Sequence, residues 1–272
     1  EDPPSAYEGE RNIELFQHNH KNKKVIVFIH GVGGHVVDTW RGADNTRFPE
    51  LAFTDPKLKE FDVFIPTYYI SENSKNNSNI FELAQNLNTV LENQGIFSNK
   101  NKKTASKYNE VYFVTHSMGN IVTRTMLTLR NVQADDHTEV PLLISFASPS
   151  SGSQLAEFSN LFSDHRQLND MDILEKNSFL SLLNQIWLSK PYDTEIACAY
   201  ESKSISETDF LVVTKESATS VCTRADKKEL EEDHFSIVKP QNTKSESYIW
   251  FVEQLTKKAA KKGWELDRWS NN

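Results

Sequence analysis

Short apolar runs alternate along the chain with longer stretches whose apolar positions recur every three or four residues. The runs at 25–29, 61–65, 110–115, 141–147 and 194–200 predict strands, with shorter ones expected near 210–214 and 228–231. The stretches at 80–93, 119–130, 172–188 and 244–262 predict helices. In the last of these, Ile249, Val252, Leu255 and Ala259 form a stripe at helical spacing that should face the core. Several strand runs carry almost no polar residues, as in Val-Ile-Val-Phe-Ile at 25–29. A strand is apolar on both faces when helices cover both sides of a parallel sheet. The predicted class is therefore α/β, with a mostly parallel central sheet and helices on both faces. Neither an internal repeat nor a long linker divides the pattern, so residues 1–272 read as a single domain.

Two polar stretches interrupt the alternation as surface loops. One is Ser-Glu-Asn-Ser-Lys-Asn-Asn-Ser-Asn at 71–79, and the other is 96–107 with its four lysines. Residues 150–191 differ, because they open Ser-Ser-Gly-Ser and then carry many large apolar groups. Leu174, Leu180, Leu183, Ile186 and Trp187 fit one helix face. That face either covers the sheet or belongs to a small lid over a site.

Composition narrows the function classes. A chain of 272 residues can bury a substantial core, and 38% hydrophobic content with no span of ~18–20 apolar residues predicts a soluble protein. A cytoplasmic setting is the default expectation. Numbering that opens at Glu1 rather than Met also leaves room for an upstream signal or anchor. A net charge of -8 argues against a nucleic-acid partner, and the lysine clusters at 21–24, 100–107 and 257–262 read as solvated faces. Cys198 reads as a small buried side chain, with a bridge to Cys222 as the alternative. The eight histidines show no paired ligand spacing, so neither a metal nor a cofactor is expected.

Candidate chemistry gathers where strands end. Residues 111–119, Val-Tyr-Phe-Val-Thr-His-Ser-Met-Gly, run from a strand into a helix through Ser117. A sharp turn there exposes the serine hydroxyl, and the helix presents its first N–H groups to developing negative charge. Gly119 lets the helix pack close to the strand. At 25–35 another apolar strand enters His-Gly-Val-Gly-Gly-His, where Gly31, Gly33 and Gly34 permit unusual backbone angles. The N–H groups of Val32 and Met118 could converge as an oxyanion hole, worth about 3–4 kcal/mol per donor. A phosphate-cradling loop is the competing reading, but the spacing lacks G-x-G-x-x-G and a Gly-Lys-Ser/Thr ending.

A serine nucleophile needs a base, and the base needs an orienting acid. His137 lies ahead of a strand, at the wrong end of the sheet, and His165 lies in the 150–191 segment. His234, between the last predicted strand and the closing helix, is the candidate base. Glu201, at the end of Ile-Ala-Cys-Ala-Tyr, and Asp209, before Phe-Leu-Val-Val, are alternative acids. Glu231, Glu232 and Asp233 crowd His234 in sequence, where neighbours rarely orient a ring. His116 should pack or hydrogen-bond near the turn.

The chain resembles the lipase-like α/β hydrolases, above all the serine-active-site-containing proteins of phospholipid remodelling and, more distantly, the glycosylphosphatidylinositol (GPI) inositol-deacylases. The resemblance covers residues 24–255. It rests on His30-Gly31-Val32-Gly33-Gly34, Thr39-Trp40-Arg41, His116-Ser117-Met118-Gly119, Phe146-Ala147-Ser148-Pro149, Tyr200-Glu201, Val212-Val213, Ser217-Ala218, Asp233-His234 and Ile237-Val238-Lys239-Pro240. It implies the α/β-hydrolase fold, a serine esterase without cofactor, and an acid at the Tyr-Glu position, Glu201. Related lipases instead place an Asp three residues before the Val-Val pair, here Asp209. Thr115 and Asn120 stand where the motif commonly has glycine, and neither change removes a reacting group. The expected substrate is a small-molecule or lipid carboxylic ester, with peripheral membrane contact allowed. A catalytically silent binding or scaffold module on the same fold is the alternative.

Overall fold

The computed structural model of the chain describes residues 13–18, 22–31, 34–68, 79–99, 101–133, 138–150, 179–189, 193–205 and 211–257. Its strands are β1 (Glu14–Phe16), β2 (Lys24–Ile29), β3 (Phe61–Ile65), β4 (Glu110–His116), β5 (Glu139–Phe146), β6 (Glu195–Glu201) and β7 (Lys228–Leu230). They form one seven-stranded sheet in the order β1-β3-β2-β4-β5-β6-β7. Only β1 runs antiparallel, against β3; every other pair is parallel. The helices are α1 (Phe48–Thr54), α2 (Ile80–Asn93), α3 (Gly119–Gln133), α4 (Phe179–Leu188), α5 (Lys215–Thr219) and α6 (246–257).

The strands divide their side chains between two cores. Val25, Val27 and Ile29 of β2 and Val111 and Phe113 of β4 pack with α2, α3 and α4 on one face. Ile26, Phe28, Tyr112 and Val114 pack on the other face with Phe48 of α1 and Tyr248, Phe251 and Leu255 of α6. This is the period-two division expected of a doubly covered sheet. α2 begins with a capping box, in which the Asn79 side chain accepts from Glu82 N–H while Glu82 accepts from Asn79 N–H.

Two expectations change and one strand is added. Residues 211–214 form no strand; they turn, with Val212 and Val213 buried. β1, too short to show a period, joins the sheet edge. In α6 the buried stripe is Tyr248, Phe251, Val252 and Leu255, whereas Ile249 is 44% exposed. A helix turns about 100° per residue, so a stripe placed one position off sends its first member to solvent. Ala259 lies outside the described residues. Of the 150–191 segment, only 150 and 179–189 are described; there Leu180, Leu183 and Trp187 are buried in the core and Ile186 packs against it, while Leu174 lies outside.

Cys198 and Cys222 form a disulfide with Cα atoms 5.9 Å apart, in place of a free buried thiol at Cys198. The bridge ties β6 to the end of the turn-and-helix segment that follows it. With a sequence separation of 24, closing such a loop is worth roughly 3 kcal/mol by restricting the unfolded chain. The Cys198→Ser/Cys222→Ser protein should unfold at correspondingly lower urea concentration. An unchanged midpoint would show that the bridge adds nothing to stability.

Candidate active site

β4 runs apolar to Thr115 and His116 and then breaks sharply. Ser117 adopts φ of 54°, a left-handed conformation that costs a residue with a Cβ about 1–3 kcal/mol. Its N–H donates to the Phe146 carbonyl of the neighbouring β5 at 2.9 Å, which holds the strained residue at the sheet end. Two glycines make the turn sterically feasible. A Cβ on Gly31 would come within 2.9 Å of Ser117 Cβ, and one on Gly119 within 2.6 Å of the His30 carbonyl oxygen. The β2 turn, the serine and the first residue of α3 are therefore in contact without intervening side chains. Tyr68 steadies that turn: its hydroxyl donates to the His30 carbonyl at 2.6 Å and its ring stacks on His30 at 4.6 Å.

His234 arrives on the loop after β7. Asp233 builds this loop rather than orienting the ring, its Oδ1 accepting the N–H groups of Phe235 and Ser236 at 2.8 Å each. His234 Nε2 lies 3.1 Å from Ser117 Oγ, and its Nδ1 lies 2.8 Å from Glu201 Oε2. A carboxylate can only accept, so Nδ1 carries the ring proton, leaving Nε2 to accept from the serine hydroxyl. The second carboxylate oxygen, Glu201 Oε1, accepts the Val213 N–H at 2.8 Å. The turn at Val212-Val213 thus closes over the acid. His116 Nε2 lies 2.7 Å from the His234 carbonyl. Ser117, Glu201, His234 and His116 are all buried.

Three of the candidate residues, Ser117, His234 and Glu201, are therefore brought into one hydrogen-bonded chain. Met118 follows Ser117 directly, with its side chain in the core. Val32, Asp209, His137 and His165 lie outside the described residues. Among the described residues, no three His, Cys, Asp or Glu side chains gather as metal ligands would. No helix among those residues is long and apolar enough to cross a membrane.

Arg124 escaped the sequence reading. It is fully buried in α3, with Nε donating to Asn120 Oδ1 at 2.7 Å and one terminal nitrogen to Asn184 Oδ1 at 2.8 Å. Asn184 in turn donates to the Ser150 carbonyl at 2.7 Å, so the guanidinium joins the serine-bearing helix to α4 and to the loop after β5. The other terminal nitrogen has no partner among the described residues, and burial pushes the guanidinium down to about 9. An arginine inside Asn-Ile-Val-Thr-Arg-Thr-Met-Leu was the available signal.

This sheet order, with its serine at the β4 elbow and its acid and histidine after later strands, defines an α/β hydrolase. Residues 69–236 match the PGAP1-like alpha/beta domain, a span that contains Ser117, Glu201 and His234, and the chain belongs to that family. Curated protein sequences give no match. Among solved structures, Est1E from Butyrivibrio proteoclasticus superposes with a TM-score of 0.57 at 11% identity, covering 92% of this chain and 95% of that one. Esterase B from Lactobacillus rhamnosis, in a form inhibited by a tributyrin phosphonate, gives 0.58 at 13% identity, covering 96% and 84%. At such identities the likeness is one of fold.

Proposed function

We propose that this chain is a serine hydrolase that cleaves carboxylic esters, lipid esters among them, through an acyl-enzyme. The observation that carries the reading is the unbroken chain from Ser117 Oγ through His234 to Glu201, with contacts of 3.1 and 2.8 Å in a buried setting. Ser117 Oγ attacks the ester carbonyl while its proton passes to His234 Nε2. Glu201 holds the ring in the accepting tautomer and stabilises the imidazolium that forms. The N–H groups of Val32 and Met118 receive the oxyanion. The imidazolium then returns its proton to the departing alcohol, and water activated by His234 frees the acid. The inhibition of esterase B by a tributyrin phosphonate fits an ester substrate on this fold. Residues 150–191 would supply part of the acyl-binding cover.

A fluorophosphonate probe tests this reading, because only an activated serine reacts. The native protein should be labelled at Ser117 and should hydrolyse p-nitrophenyl esters, with a chain-length preference read from acetate to decanoate. A native protein that neither labels nor turns over any ester would be a silent binding module.

A further inference from the structure

We propose that His116 is a positioning residue, whose Nε2–H anchors the main chain of His234 and thereby aims the imidazole between Ser117 and Glu201. The inference rests on the triad reading above. Its ground is the 2.7 Å contact between His116 Nε2 and the His234 carbonyl, across 118 residues of chain. A carbonyl oxygen cannot donate, so Nε2 must carry a proton.

The contact matters because of what else holds the base loop. Apart from the hydrogen bonds within the loop, Glu232 O accepts from the N–H groups of Ser202 and Lys203, at 3.2 and 3.1 Å. Those bonds tie the loop to the end of β6, the strand of the acid. His116 ties it to β4, the strand of the nucleophile. With both ties in place, the ring of His234 is located relative to each partner. Loss of the second removes a main-chain anchor of His234 to β4 and leaves the side-chain contact with Ser117 and the packing of Ile237 and Val238 to set its distance from that strand.

The same environment keeps His116 uncharged. Burial, with His234 4.9 Å away between ring centroids, holds it well below the ordinary histidine range. Lys239 and His30 also face it, and both oppose a positive charge there. A protonated His116 would repel the imidazolium formed on His234 in each catalytic cycle. Its neutral Nε2–H form supplies the donor without that repulsion.

Glutamine places an amide N–H near the position of Nε2, asparagine falls one methylene short, and leucine has no donor. These variants are compared by kcat and KM on a p-nitrophenyl ester, with Ser117→Ala as the inactive reference. An inactive wild-type protein would count against the triad reading itself, so the tautomer is also read independently of activity, by 1H–15N correlation of the histidine rings. His116→Gln should stay within about threefold of wild-type kcat, whereas His116→Leu and His116→Asn should lose about thirty- to a hundredfold with KM little changed, the scale of a misplacement near 1 Å. The ring spectrum should show a neutral Nε2–H tautomer at His116 that persists through the pH range where an ordinary histidine gains its proton. Wild-type kcat in a folded His116→Leu protein would overturn the proposal. So would a His116→Gln protein as slow as His116→Asn, a comparison that stands even where leucine prevents folding. An Nδ1–H tautomer would do the same.

Discussion

Replacing Ser117 with alanine is expected to lower ester turnover by roughly 10⁵- to 10⁶-fold while the protein stays folded. The residue sits at the end of β4 with its hydroxyl directed to His234, so loss of Oγ opens no cavity in either core. Alanine also keeps a Cβ at the same positive φ of 54°, so the strain of the turn is neither relieved nor increased. Stability should therefore change little, and the melting temperature and near-UV circular dichroism serve as controls. His234→Ala should cost about as much, and the double variant little more than either, because a nucleophile and its base act as one unit. Retention of more than a small fraction of wild-type kcat in the folded alanine variant would move the nucleophile elsewhere.

Glu201→Gln is expected to lower kcat by about 10⁴-fold. The amide fits the same space and can still accept the Val213 N–H through its carbonyl oxygen. Its NH₂ then faces His234 Nδ1, which must become an acceptor. The ring proton moves to Nε2, where it blocks transfer from Ser117. The amide also removes the negative charge that balances the imidazolium. Asp209→Asn should cost about tenfold or less, since the carboxylate hydrogen-bonded to the base is that of Glu201. The reverse ranking of the two variants would transfer the role to Asp209.

The sheet was legible because its strands are buried on both faces, which leaves unbroken Val/Ile/Phe runs that few other settings produce. Val212-Val213 looked like another such run, and its side chains do join the core, but its backbone turns and gives the Glu201 carboxylate an N–H. Hydrophobicity reports burial, not backbone conformation. The same limit explains α6, where Tyr248 and Phe251 were available for the stripe and Ile249 was read as inward in their place. That Ser117 and His234 would come together could be read from the elbow and from the order of the chain. The choice between Glu201 and Asp209 could not be made from the residues, because both follow an apolar run or precede one. It turned on the family pattern. The contacts of His116 with His234 and of Arg124 with Asn184 reach residues far away in sequence, and spacing carries no trace of them.

Each contact of the site joins distant parts of the chain: Ser117 meets His234 across 117 residues, and His234 meets Glu201 across 33. No hairpin or helix brings two of the three together locally. Closing such loops costs entropy before any contact offsets it, which places their formation late in folding. In refolding from denaturant, helical signal should therefore return ahead of ester turnover, and a chain arrested with β6 or β7 unpaired would hold its serine without a base. Ester turnover, where it is found, would then report the pairing of β4 through β7, because those strands carry the three residues.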